Sequence, residues 1–289
     1  MYTYYNLQGD IAYLKHFCVD TGSIGKSVLG RDIFFVHVGG YKAEQIIITG
    51  GIHAREHVSS LLVTKQIVHI LNSGAYADLK ERGIYFIPMV NPDGNLICAY
   101  AHKSVPVRFR KRLKKINGGR DFRLFKANAN GVDLNVNFDA RWGEGKYNLL
   151  SMGSENYIGP FPFSEPETRA LRDFTLSVSP IATLSYHAMG RELYWQFGQN
   201  EEDMKRDGKI ANYINSHLGY RMVPDNGTSV GGYKDWCISA LKIPSFTIEL
   251  VSDKEYSHPL TDDSCIDEDF EKNKELPQNL LNFTADMIQ

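Results

Sequence analysis

Cysteine is scarce in this chain of 289 residues: Cys18, Cys98, Cys237 and Cys265 are widely scattered and no two form a C-x-x-C pair. That excludes a disulfide framework and makes a reducing compartment the natural reading. Long apolar runs are missing as well. None approaches the ~20 residues that a membrane span needs. The start, Met1-Tyr-Thr-Tyr-Tyr-Asn6, lacks a basic stretch followed by an apolar one, so no signal peptide is read there and a cytoplasmic protein is expected. Neither sign of charge is in excess: 32 Lys and Arg stand against 34 Asp and Glu, a net charge of −2. The overall charge therefore points to neither nucleic acid nor an anionic membrane as a partner. Internal repeats, low-complexity segments and linkers are also absent.

Apolar residues make up 43% of the chain, enough for a substantial core. They occur as short β-branched runs alternating with longer amphipathic stretches. Expected strands are Asp32–Val38, Gln45–Thr49, Ile84–Met89, Ile181–Ser185 and Ser245–Leu250. Several are apolar on both faces, as central strands covered by helices on each side must be. Helices fit between them: Arg55–Leu71, ending near Gly74, and Asp203–Leu218, closed by Gly219. A third begins at Ser164-Glu-Pro-Glu167, with Ser164 as N-cap and Glu167 three residues on. The pattern predicts one α/β domain over 1–289, with a central mixed, mostly parallel sheet flanked by helices on both faces and 1–30 as an N-terminal lead-in.

Two stretches stand apart. Arg108-Phe-Arg-Lys-Arg-Leu-Lys-Lys115 is a basic run, read as a solvated loop or helix face. It falls within Cys98–Gly131, the least regular part of the sequence, and a loop of that length is usually functional or disordered.

The chemistry concentrates at strand ends. His53-Ala-Arg-Glu56 follows the strand Gln45–Thr49 and the pair Gly50-Gly51. A histidine and a carboxylate three residues apart can converge on one metal ion, and small residues before them let the backbone turn sharply. Alone, an H-x-x-E pair is common on surface helices. His187, after its own strand, is the candidate third ligand, giving the two-histidine, one-carboxylate set that leaves a zinc position open for water. Glu249 lies within the apolar run Ser245-Phe-Thr-Ile-Glu-Leu-Val251. Buried there, its carboxyl would be raised in pKa and suited to accept a proton from water. The competing reading is an edge strand with Glu249 in solvent. In Gly131-Val-Asp-Leu-Asn135, Asn135 can donate to a substrate carbonyl or carboxylate, and Asp133 can support a ligand histidine. Asn91-Pro-Asp-Gly94 reads as a structural turn.

Taken together and in this order, His53-Ala-Arg-Glu56, Asn91-Pro-Asp-Gly94, Gly131-Val-Asp-Leu-Asn135, Ser185-Tyr-His187 and Thr247-Ile-Glu-Leu250 resemble the zinc metallocarboxypeptidase family, nearly end to end. The resemblance implies the carboxypeptidase A fold and a single Zn²⁺ on His53, Glu56 and His187. It also implies Glu249 as general base and acid, and Arg55 as a substrate contact on the non-primed side. It exposes departures too. The family's carboxylate-clamping Arg, directly after the asparagine, is here Val136. The oxyanion-stabilising Arg has Lys126 as its counterpart, within Phe125-Lys-Ala-Asn128. No Tyr stands near Gly227-Thr-Ser229, where the family carries a mobile one ahead of the Gly-Gly pair, and the specificity position before Asp235 is Lys234. The chain is most similar to the bacterial branch that cuts the γ-D-glutamyl–diaminopimelate bond of cell-wall peptides. The expected partner is thus a peptide or muropeptide, with Arg191 and Lys234 as candidate partners for its carboxylates. A broad carboxypeptidase, a small-amide deacylase and a non-catalytic binding protein on the same scaffold are the competing readings.

Overall fold

Four adjacent parallel strands explain why the β-branched residues come in short uninterrupted runs. In the computed structural model, which describes residues 1–17 and 19–288, one mixed sheet is formed by β1 (Asp20–Lys26), β2 (Asp32–Gly39), β3 (Gln45–Thr49), β4 (Gly83–Ile87), β5 (Ala182–Ala188), β6 (Glu192–Tyr194), β7 (Arg221–Val223) and β8 (Ser245–Leu250). Their order is β1-β2-β4-β3-β5-β8-β6-β7. The block β4-β3-β5-β8 is parallel throughout, and β6 pairs parallel to β7. Antiparallel pairings join β1 to β2, β2 to β4 and β6 to β8.

Successive side chains of a strand point to opposite faces, and here both faces are covered. Ile46 and Ile48 of β3 pack into one core with Val58, Leu62 and Ile67. Ile47, between them, packs into a second core with Leu171, Tyr233 and Trp236. The first core is closed by α1 (Tyr4–Leu14), α2 (His57–Ser73), α6 (Glu201–Leu218), α8 (Asp267–Asn273) and α9 (Leu276–Ile288). The second lies under α5 (Pro166–Val178) and the short α7 (Tyr233–Trp236). Beside them, α3 (Pro92–Tyr100) and α4 (Val107–Asn117) close a smaller cluster around Phe125. The chain is thus one α/β domain with a mostly parallel sheet, as expected. Among the described residues no helix is long and apolar enough to cross a membrane.

Two local expectations need correction, the cap at Ser164 and the turn at Asn91. Ser164 does not cap α5: the helix starts at Pro166 with Glu165 at its N-cap. Glu167 turns inward instead of reaching back, accepting from the Val28 backbone N–H and from Asn128. Asn91-Pro-Asp-Gly94 is a helix start, not a free turn. Pro92 opens α3, where its missing N–H costs nothing, and Asn91 accepts from the Gly94 N–H. The segment 1–30 contains α1, whose Leu7, Ile11 and Leu14 are buried, and the edge strand β1. The basic run forms most of α4, with Leu113 and Ile116 buried and its charges outward. Cys98, Cys237 and Cys265 are buried free thiols; Cys18 lies outside the described residues.

Candidate metal and catalytic site

Strand ends on one side of the sheet bring the site together. β3 leaves the sheet through Gly50-Gly51. Gly51 has φ +60°, and a Cβ there would meet the Ser60 hydroxyl, so this exit accepts only glycine. His53 follows it, and Glu56 is the N-cap residue of α2. His187 is the penultimate residue of β5, inside the strand and not past its end. Glu249, the penultimate residue of β8, is its direct partner across the parallel pairing. β8 lies between β5 and β6, so the edge-strand reading of Glu249 does not hold. Residues beyond the carboxyl ends of adjacent parallel strands are where open α/β sheets form their sites.

The three ligand candidates converge. Glu56 Oε1 lies 2.8 Å from His53 Nδ1, and Glu56 Oε2 lies 3.2 Å from His187 Nδ1. The two ring nitrogens are themselves 3.2 Å apart. All three residues are buried, and one donor atom from each lies within 4.8 Å of the others. Burial alone would raise the Glu56 carboxyl, but the two imidazoles overrule it and hold it well below the usual carboxylate range. Two imidazole nitrogens and an ionised carboxylate aimed at one point fit a divalent cation with a preference for nitrogen and oxygen donors.

A second layer orders this cradle. The other ring nitrogen of His53, Nε2, lies 3.3 Å from Asp133 Oδ1, and Lys126 Nζ lies 2.9 Å from Asp133 Oδ2. Asp133 is fully buried. Burial would raise its carboxyl, yet Lys126 and His53 hold it far below the ordinary value. Lys126 behaves in the mirror sense: burial favours its neutral form, but Asp133 and Glu56 raise its pKa, so it stays charged. Asn91, read from sequence as a turn residue, braces the two loops by donating to Ile52 O and Ala127 O at 3.2 and 3.1 Å. Ala54 N–H also donates to Lys126 O.

Glu249 faces a cavity of about 370 Å³ that His53, His187 and Lys126 also line. Burial, helped by the Glu56 charge, pushes its carboxyl up to about 7 against the pull of His187, Lys126 and Arg55. Asn135 and Val136 form part of the wall. The Asn135 side-chain oxygen, Oδ1, accepts from Tyr233 N–H at 3.1 Å. Lys234 lines the far side, with its ammonium donating to Gln196 O and Asp235 Oδ1 at 2.9 and 2.6 Å.

Two candidates stand elsewhere. Arg191 is not among the cavity-lining residues, because its guanidinium pairs with Glu268 and Asp269 at 2.8 and 3.1 Å. Arg55 also lies outside that lining, 3.4 Å from both Leu124 O and Glu155 Oε2. Sequence reasoning missed Tyr147, Asn148, Tyr194, Gln196 and Asp225, all of which line the cavity. Tyr194 donates to Glu192 and keeps its proton, through burial and the nearby Glu249 charge. These residues come from β6 and from irregular loops, and no motif marks them.

The arrangement defines a class. The chain belongs to the zinc carboxypeptidase family, whose model matches residues 6–276. It is 30% identical over 240 residues to "Gamma-D-glutamyl-L-diamino acid endopeptidase 1" of Lysinibacillus sphaericus, covering 79% of this chain and 60% of that protein. The chain thus spans about 60% of that relative's length. Among solved structures, carboxypeptidase A of Helicoverpa armigera superposes with a TM-score of 0.79 at 19% identity, covering 99% of this chain and 73% of that one. A murein-tripeptide amidase of Escherichia coli O157 superposes with a TM-score of 0.56 at 23% identity, covering 90% of this chain and 91% of that one.

Proposed function

We propose that the chain is a zinc-dependent peptidase that hydrolyses the γ-D-glutamyl–diaminopimelate bond of cell-wall peptides. The observation that carries the peptidase reading is the convergence of His53, Glu56 and His187 beside Glu249, whose carboxyl is pushed up to about 7. His53, Glu56 and His187 would hold a single zinc ion, which supplies Lewis acidity toward a carbonyl and makes water a better nucleophile near neutral pH. Glu249 takes the proton of the attacking water and delivers it to the leaving amine, a task that suits a carboxyl titrating near neutrality. Lys126 offers a fixed positive charge to the carbonyl oxygen as negative charge develops there. Asp133 holds His53 and Lys126 in register for both roles.

The substrate assignment rests on the cavity wall and on the relative. Val136 offers no charge where an ordinary carboxypeptidase clamps a terminal carboxylate. The wall instead presents Asn135, Asp225 and the paired Lys234 and Asp235, a mixed polar set suited to a zwitterionic flank such as diaminopimelate. The Lysinibacillus relative is named for that class of bond.

Incubation with L-Ala-γ-D-Glu-diaminopimelate, with and without a chelator, tests this directly. Chelator-sensitive release of diaminopimelate is expected. No product from it, together with release of C-terminal residues from simple peptides, would replace the substrate assignment with a broad carboxypeptidase.

A further inference from the structure

The net charge of −2 averages two unlike regions. From Lys103 to Arg123 there are nine basic residues and one acidic residue, a local charge of +8, which leaves −10 for the rest of the chain. The core of this region is α4, with Arg108, Arg110, Lys111, Arg112, Lys114 and Lys115 and no acidic side chain. Arg120 and Arg123 are partly neutralised by Glu155 and Asp121. None of the six cations of α4 has a carboxylate partner among the described residues. A like-charged helix held together in this way meets strong self-repulsion unless something anionic covers it.

Beside α4 runs the segment Tyr147–Met152. Arg112 reaches it, with one guanidinium nitrogen 3.3 Å from Met152 Sδ. Tyr147, Leu149, Leu150 and Met152 are 62%, 46%, 83% and 52% exposed, and Leu150 is the most exposed of the large apolar side chains. Single exposed apolar residues are ordinary on a soluble protein, but four within six positions are a patch. In α4 itself, Leu113 and Ile116 are spent on the interior and Phe109 packs partly against the same cluster, while Val107 at its start is exposed. The two neighbouring elements therefore divide the labour: one offers charge, the other greasy side chains. Tyr147 and Asn148 of the same segment also line the catalytic cavity.

We propose that this face docks on an anionic lipid surface, with α4 against the headgroups and Leu149, Leu150 and Met152 entering the interface. A purely electrostatic partner, such as a polyphosphate or a nucleic acid, explains the helix but gives Leu150 nothing to do. Basic residues next to apolar ones are the combination that binds acidic membranes. Docking in this way would bring the mouth of the catalytic cavity to the membrane surface. The inference does not depend on which bond the site cuts.

Vesicle co-sedimentation of the full chain tests it. Binding to phosphatidylcholine vesicles containing phosphatidylglycerol is expected, with none to phosphatidylcholine alone and loss in high salt. The triple variant K111Q/R112Q/K115Q should weaken partition by roughly a hundredfold, from about fivefold per basic residue. Leu150→Asp should weaken it by about tenfold. Neither should change hydrolysis of a soluble peptide, which also reports that the variants fold. Absence of binding to anionic vesicles overturns the proposal. So does binding that Leu150→Asp leaves untouched and that polyphosphate matches, which would make the face a polyanion site. Self-association without vesicles that Leu150→Asp abolishes would overturn it in favour of a second copy of the chain.

Discussion

Lys126, which lines the cavity, forms an ion pair with Asp133, Nζ to Oδ2 at 2.9 Å, with the Asp133 side chain fully buried. The pair fixes the ammonium beside the cradle of His53, Glu56 and His187, because the other Asp133 oxygen faces His53. If Lys126 stabilises developing negative charge, Lys126→Met should lower kcat by about 10²–10³. Lys126→Arg should recover much of that, since it restores charge beside Asp133. Steady-state kinetics with zinc content measured in parallel separates this from loss of the metal. Asp133→Asn is expected to act through His53, weakening zinc by roughly 10–100-fold in chelator competition.

Glu249 offers a test in pH. Its carboxyl is raised from an ordinary value of 4.5 to about 7 in the metal-free protein. Across that window the folded state holds more protons than the unfolded one, so this residue's contribution to stability falls as pH rises. Glutamine has nothing to ionise. Metal-free Glu249→Gln should therefore be more stable than the parent above pH ~7, by roughly 1–3 kcal/mol, with the difference vanishing below pH ~4. Denaturant titrations at several pH values measure it. Zinc should shrink the difference, because a nearby dication favours the carboxylate. The same variant should lose about 10²–10⁴ in kcat while retaining zinc. Unchanged turnover would remove Glu249 from its assigned role.

What could be read from the sequence follows how local each signal was. The strands Gln45–Thr49 and Ser245–Leu250 have the bounds that their apolar runs suggest, because burial on both faces leaves no room for ambiguity. His53 and Glu56 could be picked out from their three-residue spacing after a strand, and His187 and Glu249 from the apolar strands that carry them. Signals failed where the partner was distant or the element short. The guanidinium of Arg191 is taken by Glu268 and Asp269, 77 and 78 positions on, which no local pattern reveals. β6 and β7 have three residues each, too few for any period to register, and β6 carries Tyr194 into the cavity. Glu167 mimicked a capping box while its carboxyl served an interior contact with Asn128.

The end of the N-terminal segment is tied down by a partly buried ion pair. Asp93, fully buried at the start of α3, receives Arg31 on one oxygen and the Leu29 N–H on the other. Arg31→Met would leave the carboxylate inside with one hydrogen bond and no counter-charge. Loss of about 3–5 kcal/mol is expected, read as a drop in denaturation midpoint. The double variant Arg31→Met with Asp93→Asn should recover part of it, because the isolated charge is then gone. A single variant as stable as the parent would mean that the pair is solvated in practice.

Val136 allows the substrate assignment to be tested by gain and not by loss. It lies in the cavity wall, next in sequence to Asn135, with only 8% of its surface exposed. Its backbone carbonyl carbon and oxygen lie against Gly231, so the main chain is held at this point. A guanidinium at this position would give the cavity a fixed charge able to pair bidentately with a terminal carboxylate. Val136→Arg is therefore expected to raise kcat/KM for release of C-terminal residues from simple peptides by roughly tenfold or more, the scale of one charge-assisted contact. Cleavage of L-Ala-γ-D-Glu-diaminopimelate should fall in the same variant, because the added side chain occupies the space of its flank. Liquid chromatography of the products from both substrates gives the two ratios together. If both activities fell equally, with zinc still bound, the wall at Val136 would be a packing surface and not the feature that separates this chain from an ordinary carboxypeptidase.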